Sequence, residues 1–445
     1  MHAATTTHWA GMQKLHRFRM QLWESLTRKG ILGILFSVIL VGFYVLLYWS
    51  ADIDQLWMAS RERQVLEPLE RKITAAQGLA AEQGLKDQKT YILSSYRDRA
   101  AFGGGYHRYL LPENRVFVDR LRTVHTAPVT RWVDNTSSLL NPLSVALRNR
   151  DADRWFLYGF LYTLLVVLMG IRFYRRWRHD RYQKIRTLSV MAVQSLIAFM
   201  LPALLLYFNT KEFYFSYFWP LKLEYFLPST FSDYPRAMAL WAVMMSFVAV
   251  PVLTYFFGKR WYCSWVCGCG ALANTMGDPF RQLSDKSERA WVIERITVYS
   301  VLALTVVLTA LIFINEFRGI NDGFAEWVFS MKRWYGFFIS AGFAGVIGTG
   351  FYPLMGTRVW CRFGCPQAAI LGILQVFFSR FRISTNGGQC IACGSCSANC
   401  EMGIDVRSYA MRGEDIRRAA CVGCGLCMSV CPRGVLKLEN KPLSA

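Results

Sequence analysis

Long apolar stretches punctuate the chain, separated by polar and basic connections. Six of them, at 31–49, 155–171, 188–208, 237–257, 297–314 and 335–356, approach the ~20 residues an α-helix needs to cross a bilayer. The pattern predicts an α-helical integral membrane protein with about six transmembrane helices. The first stretch follows 30 residues and ends in Tyr48, Trp49, Ser50 and Ala51. That end lacks a small-x-small cleavage pattern, so the stretch reads as an uncleaved anchor. Lys and Arg mark the cytoplasmic flank of a membrane helix. They crowd residues 1–30, the connection from Arg172 to Arg186, and 258–296; Arg358, Arg362, Arg380 and Arg382 follow the sixth stretch. The connections 209–236 and 315–334 instead balance three basic against three acidic residues. The alternation closes with both termini cytoplasmic, in a bacterial inner membrane.

Five regions are then expected: a basic N-terminus at 1–30, an anchor at 31–49, an external (periplasmic) domain at 50–154, a transmembrane domain at 155–383, and a tail at 384–445. In the external domain Val65, Leu66, Leu69 and Ile73 recur at helical spacing, and Gly103-Gly104-Gly105 marks a break. It carries no cofactor motif. The aromatic run Phe213–Trp219 reads as an interfacial belt, with a quinol pocket as the alternative.

Composition narrows the classes. At 445 residues, the chain is 53% hydrophobic and 18% charged, with a mean hydropathy of +0.21. A soluble core of this size needs fewer apolar residues, so many should face lipid. The net charge of +21 would suit nucleic acid, but the cations flank apolar spans, which points to the bilayer and away from nucleic acid. None of the six histidines lies inside an apolar span and no C-x-x-C-H occurs, which excludes haem of the cytochrome b and c types.

The thirteen cysteines carry the candidate chemistry, and none precedes Cys263. In the tail, Cys390, Cys393, Cys396 and Cys400 spell C-x2-C-x2-C-x3-C, and Cys421, Cys424, Cys427 and Cys431 repeat it. A [4Fe–4S] cubane needs four converging thiolates. In two-cluster arrangements the x2 run supplies three and the fourth serves the opposite cluster. Cys390, Cys393, Cys396 and Cys431 are therefore expected to hold one cluster, and Cys421, Cys424, Cys427 and Cys400 the other, in a double-cluster α+β ferredoxin domain. Zinc, which favours separated C-x2-C knuckles, fits a repeated triple run poorly. Glu401 stands where the first copy lacks the usual proline, a non-ligand position.

Upstream, GKRWYCSWVC at 258–267 and GTRVWCRFGC at 356–365 align at an offset of 98 residues. Each follows an apolar span, which reads as a duplicated helix ending in a dithiol. If packing brings the pairs together, Cys263, Cys267, Cys361 and Cys365 supply four thiolates for a third cluster, a metal or redox dithiol work; if not, they are packing cysteines. Cys269 reads as a spare thiol. Arg260 and Arg358 could offset thiolate charge, though basic residues at a cytoplasmic helix end need no special role. No acid–base or nucleophilic constellation is visible, so no catalytic residue is assigned and enzyme status stays open.

These motifs resemble the membrane polyferredoxin superfamily. It includes the membrane ferredoxins of periplasmic nitrate reductase systems, the membrane regulators of nitrous oxide respiration, and copper-reducing cytochrome oxidase assembly proteins. The resemblance covers about 188–445. It implies electron transfer from a cytoplasmic or quinol donor towards a membrane or periplasmic respiratory acceptor. The eight tail cysteines then take the cluster role, and Cys263, Cys267, Cys361 and Cys365 the membrane-motif role. The chain departs from the pattern in three ways. Gly268 and Cys269 replace proline after the first pair, the external segment lacks a flavin-attachment sequence, and no long domain follows the ferredoxin motifs. Two further functions fit the same residues: a copper or dithiol reductase assembling a respiratory metalloenzyme, and a redox-sensing regulator.

Overall fold

The computed structural model describes residues 21–22, 24–76, 78, 81–90, 92, 116–117, 128–227, 234–320 and 323–441. Among them five helices are long and apolar enough to cross a membrane: Ile31–Ser50, Arg154–Arg176, Arg181–Tyr207, Arg236–Phe257 and Glu288–Arg318. Several overrun the apolar stretches because polar residues cap them well. Asp180 accepts from the backbone N–H groups of Tyr182 and Gln183, and Ser287 accepts from that of Ala290. Gly319, in the left-handed region, ends the last of these helices.

The stretch expected at 335–356 is not among the five. The chain is helical over 323–350, but Glu326, Lys332 and Arg333 lie in its first half, and Tyr352–Met355 forms a separate short turn of helix. The helix nonetheless returns along its predecessor. Leu308 and Ile312 pack with Val328, Phe324 and Met331, and the hydroxyls of Thr305 and Tyr335 lie 3.0 Å apart. A 31-residue helix such as Glu288–Arg318 runs about 46 Å. The return brings Gly356 (φ +88°) so close to Ser284 that a Cβ would stand 2.4 Å from its Oγ.

The chain divides into two compact units, one made of Val45–Asn141 with Ala152–Arg154, the other of the remainder. In the smaller unit Leu66, Leu69 and Ile92 form a core with Val65 and Ile73 around it. The buried Asp54 carboxylate accepts from Val129 and Thr130 N–H at 3.1 and 2.7 Å, at the start of the helix Pro128–Ser138. Gly103–Gly105 lie outside the described residues.

In the larger unit two aromatics of the run turn inward, while Tyr214, Phe215, Tyr217 and Trp219 stay partly exposed. Phe213 and Phe218 are fully buried. Phe213 stacks 4.5 Å from Tyr225, and Phe218 packs 5.0 Å from Tyr262, whose hydroxyl donates to the Ser216 carbonyl at 2.9 Å. Such aromatic pairs contribute about 0.5–1.5 kcal/mol beyond the area they bury.

The tail is α+β. Strand β1, Phe381–Thr385, pairs antiparallel with β2, Leu436–Asn440, with Ile383 opposite Leu438. Between them the cysteine loops run into one-turn helices at Ser395–Ala398 and Leu426–Ser429.

Candidate metal centres

Each triple cysteine run begins as a loop and tightens into a turn of helix. Gly394 (φ +78°) and Gly425 (φ +74°) make that change of direction in the left-handed region, which a side chain would strain. The outcome is two sulfur-walled cavities. Cys390, Cys393, Cys396 and Cys431 line one, with Arg407 and Leu436 also in its wall. Cys400, Cys421, Cys424 and Cys427 line a second, with Glu401 and Met402. Each cavity draws three sulfurs from one run and one from the other. Among the described residues no three Cys, His, Asp or Glu side chains close on one ion-sized point. The sulfurs surround a volume instead, which suits a cluster better than a single ion.

The two cavities differ in surroundings. Cys393 is exposed, and hydrogen bonds from the Ser395 backbone and hydroxyl hold its thiol below the usual range. At the second cavity burial pushes Cys400 and Cys421 up to about 11 and Cys424 to about 12, and it raises Cys427 well above the usual thiol range. Thiolates there need the positive charge of a bound metal to offset desolvation.

The loop 418–424 behind the second cavity is held by the helical part of the unit. Arg186 Nη1 and Gln183 Nε2 both donate to the Cys424 carbonyl at 3.0 Å. Tyr182 donates to Gly423 and Ser264 to Val422, each at 2.7 Å. Gln375 Nε2 donates to Cys421 O at 2.9 Å and to Arg418 O at 2.8 Å, while its Oε1 accepts from the Lys259 N–H.

The upstream repeat is also a structural repeat. Gly258 (φ +65°) and Gly356 (φ +88°) end the preceding helices. Short helices Arg260–Cys263 and Val359–Phe363 follow. Cys267 and Cys365 then begin the helices Gly268–Asn274 and Pro366–Phe377. All four cysteines are buried, and packing brings the two pairs together. Arg358 Nη1 donates to Cys263 O at 3.0 Å and lies 3.8 Å from Cys361 Sγ. Charge on Cys361, Cys267 and Cys263 in turn bears on Cys365.

Cys269, read from the sequence as a spare, belongs to this group. Its hydrogen bond draws the Cys267 thiol down to about 7, while burial pushes Cys263 to about 12. A Cβ on Gly270 would stand 2.0 Å from Cys263 O, so glycine permits this close packing.

Sequence reasoning missed the link between the two sets of cysteines. Arg358 and Glu401 form an ion pair with both side chains fully buried, Nε to Oε2 2.7 Å. Arg358 Nη2 also donates to Asn274 Oδ1 at 3.0 Å. Burial raises the Glu401 carboxyl, but Arg358, Arg281 and Arg186 outweigh it and hold the group at about 2. One cation therefore touches the membrane-motif cysteines and, through Glu401, the wall of the second cavity. The available signal was a carboxylate where the repeat lacks its proline. Arg260, at the matching place in the first motif, instead lies 4.5 Å over the Phe381 ring.

Residues 389–436 match a 4Fe-4S dicluster domain, and 240–287 and 335–384 match a 4Fe-4S binding domain. The chain carries 4Fe–4S ferredoxin-type domains. All thirteen cysteines lie within the matched stretches, and the donor set fits iron–sulfur clusters. The chain is also similar to the Escherichia coli (strain K12) protein named "Putative electron transport protein YccM". The two are 28% identical over 172 residues, 37% of this chain and 47% of that protein. The chain thus spans about half the length of this curated relative. No solved structure matches.

Proposed function

We propose that the protein is a membrane-bound iron–sulfur electron carrier of the polyferredoxin kind. It passes electrons between a cytoplasmic or quinol donor and a respiratory acceptor in the membrane or the periplasm. The observation that carries this reading is the pair of four-cysteine cavities packed against a third, buried cysteine group. Cys390, Cys393, Cys396 and Cys431 would hold one [4Fe–4S] cluster, and Cys400, Cys421, Cys424 and Cys427 a second. Cys263, Cys267, Cys361 and Cys365 would hold a third. Such clusters, when bound, supply one-electron oxidation and reduction. The chain's own residues fix their surroundings. Arg186, Gln183 and Gln375 tie down the backbone behind the second cavity, and Arg358 offsets negative charge at both buried groups. The chain reads as crossing the inner membrane six times with both termini cytoplasmic. The helix over 323–350 supports this, because it returns the chain from Arg318 to the Cys263 side.

Proteoliposomes test the reading. A cytoplasmic-side reductant should reduce an acceptor on the opposite face, and Cys361→Ser should abolish that flux while lowering iron by about four per chain. Absence of flux with full iron would refute it.

A second reading, a copper or dithiol reductase, draws support from Cys267. Its lowered thiol beside Cys269 is the most readily ionised of the buried group and suits exchange chemistry. Under that reading Cys269→Ala would slow reduction of copper or of an added disulfide and leave transmembrane flux intact.

A further inference from the structure

A cavity of about 400 Å³ opens between the helices Glu288–Arg318 and Pro366–Phe377 and the tail. That lies within the ~300–1,000 Å³ of typical ligand sites, and the functions above do not use it. Its polar side presents Lys259, Arg295, Arg362 and Arg418; its apolar side includes Val298, Ile373, Val376 and Phe377. Arg362 is matched by Glu294 at 3.0 Å. The other three cations have no carboxylate within ion-pair distance among the described residues. Lys259 is only 2% exposed, and its ammonium donates to one carbonyl, that of Ala419 at 3.1 Å. A buried ammonium with donors to spare favours an anion. Arg418 and Arg295 stack on one ring, 4.6 and 5.2 Å from the centroid of Trp291, which sets two guanidinium groups at the mouth.

The apolar side fits a chain, not an isolated ion. Pro366–Phe377 has 12 residues, about 18 Å of helix, against a hydrocarbon core of ~30 Å. Phe377 and Phe378 at its end remain exposed. A short apolar helix with exposed aromatics beside a cationic cavity leaves room for an acyl chain below a phosphate.

We propose that this cavity binds an anionic phospholipid of the cytoplasmic leaflet. The phosphate would sit on Lys259, Arg295 and Arg418, and the acyl chains against Ile373, Val376 and Phe377. Basic pockets between membrane helices on the cytoplasmic side select anionic head groups by this chemistry. Cys361 and Ala420, the neighbour of Cys421, also stand in the cavity wall, so the lipid would keep water from both buried cysteine groups. The proposal rests on the reading that Glu288–Arg318 enters the bilayer from the cytoplasmic face.

Native mass spectrometry of the full chain tests it with three probes: phosphatidylglycerol, phosphatidylcholine and inorganic phosphate. Phosphatidylglycerol should survive delipidation where phosphatidylcholine is washed away. The double substitution Arg295→Gln/Arg418→Gln should weaken its binding about thirtyfold with iron–sulfur absorbance unchanged, which shows the variant is folded. Equal retention of both lipids, or displacement of phosphatidylglycerol by millimolar phosphate, would overturn the assignment. Extraction of the chain without detergent would overturn the membrane reading itself, a distinct result.

Discussion

The two cavities of the tail share one sequence spacing and differ in almost everything around it. The first has an exposed cysteine, Cys393, with the exposed Ile391 beside it. The second is closed by Tyr182, Gln183, Arg186, Ser264 and Gln375, all from outside the tail. Spacing therefore specifies which sulfurs can converge, while burial and charge come from whatever packs behind the loop. The buried cavity suits contact with the membrane-motif cysteines, and the open one suits exchange with a soluble partner. Cavities equal in both respects would offer no reason for such a division.

Four experiments would break or sharpen that contrast. The largest effect is expected from Arg358→Met, which strands the Glu401 carboxylate in the interior. Removing one partner of a buried pair costs about 3–5 kcal/mol. Denaturant unfolding should show a loss of that order, with iron lost from the second cavity first. Removing Glu401 as well, in Arg358→Met/Glu401→Leu, should recover most of the stability. If the double variant is no better than the single one, the pair is not the link described. Gln375→Ala comes next. It orphans the carbonyl of Cys421 and the N–H of Lys259, while the Arg418 carbonyl keeps its bond from the Cys421 N–H, at about 1–3 kcal/mol for a buried unsatisfied group. Melting followed at the cluster absorbance should show the second cavity failing earlier, with the first unmoved.

Chelation should show a smaller, kinetic difference. Treated with an iron chelator, the chain should become alkylatable at Cys393 before Cys424, as mass mapping of modified peptides would report. Cys393 is exposed with its thiol lowered, whereas burial holds Cys424 at about 12. The smallest effect is at the surface. Arg412 and Glu414 pair in full solvent, at 2.9 Å, and such pairs contribute little. Glu414→Gln should leave both iron content and melting temperature unchanged.

Much of this architecture is legible in the residues. The apolar stretches announce their helices because a bilayer-length run has few other stable forms. The cysteine runs announce their loops because x2 spacing suits little else. The aromatic run Phe213–Trp219 is less legible, because its residue types satisfy an interface and an interior equally well; the inward turn of Phe213 and Phe218 depends on Tyr225 and Tyr262. The stretch 335–356 is ambiguous for a different reason: its helix begins at a charged segment with Lys332 and Arg333 and breaks before Tyr352–Met355. Arg358 and Glu401 lie 43 positions apart and belong to different motifs. Each looks ordinary alone, and only folding brings the two charges together out of water. The same holds for Cys269, whose place beside Cys267 depends on the turn that Gly268 and Gly270 allow.

The central claim is that these cysteines exist to grip iron and sulfide. Iron and acid-labile sulfide counted per chain in anaerobically purified, full-length protein test it most directly, with electron paramagnetic resonance after reduction. The account predicts about twelve of each, with signals of interacting [4Fe–4S] clusters. A colourless preparation, or one with fewer than about eight irons per chain, would contradict it.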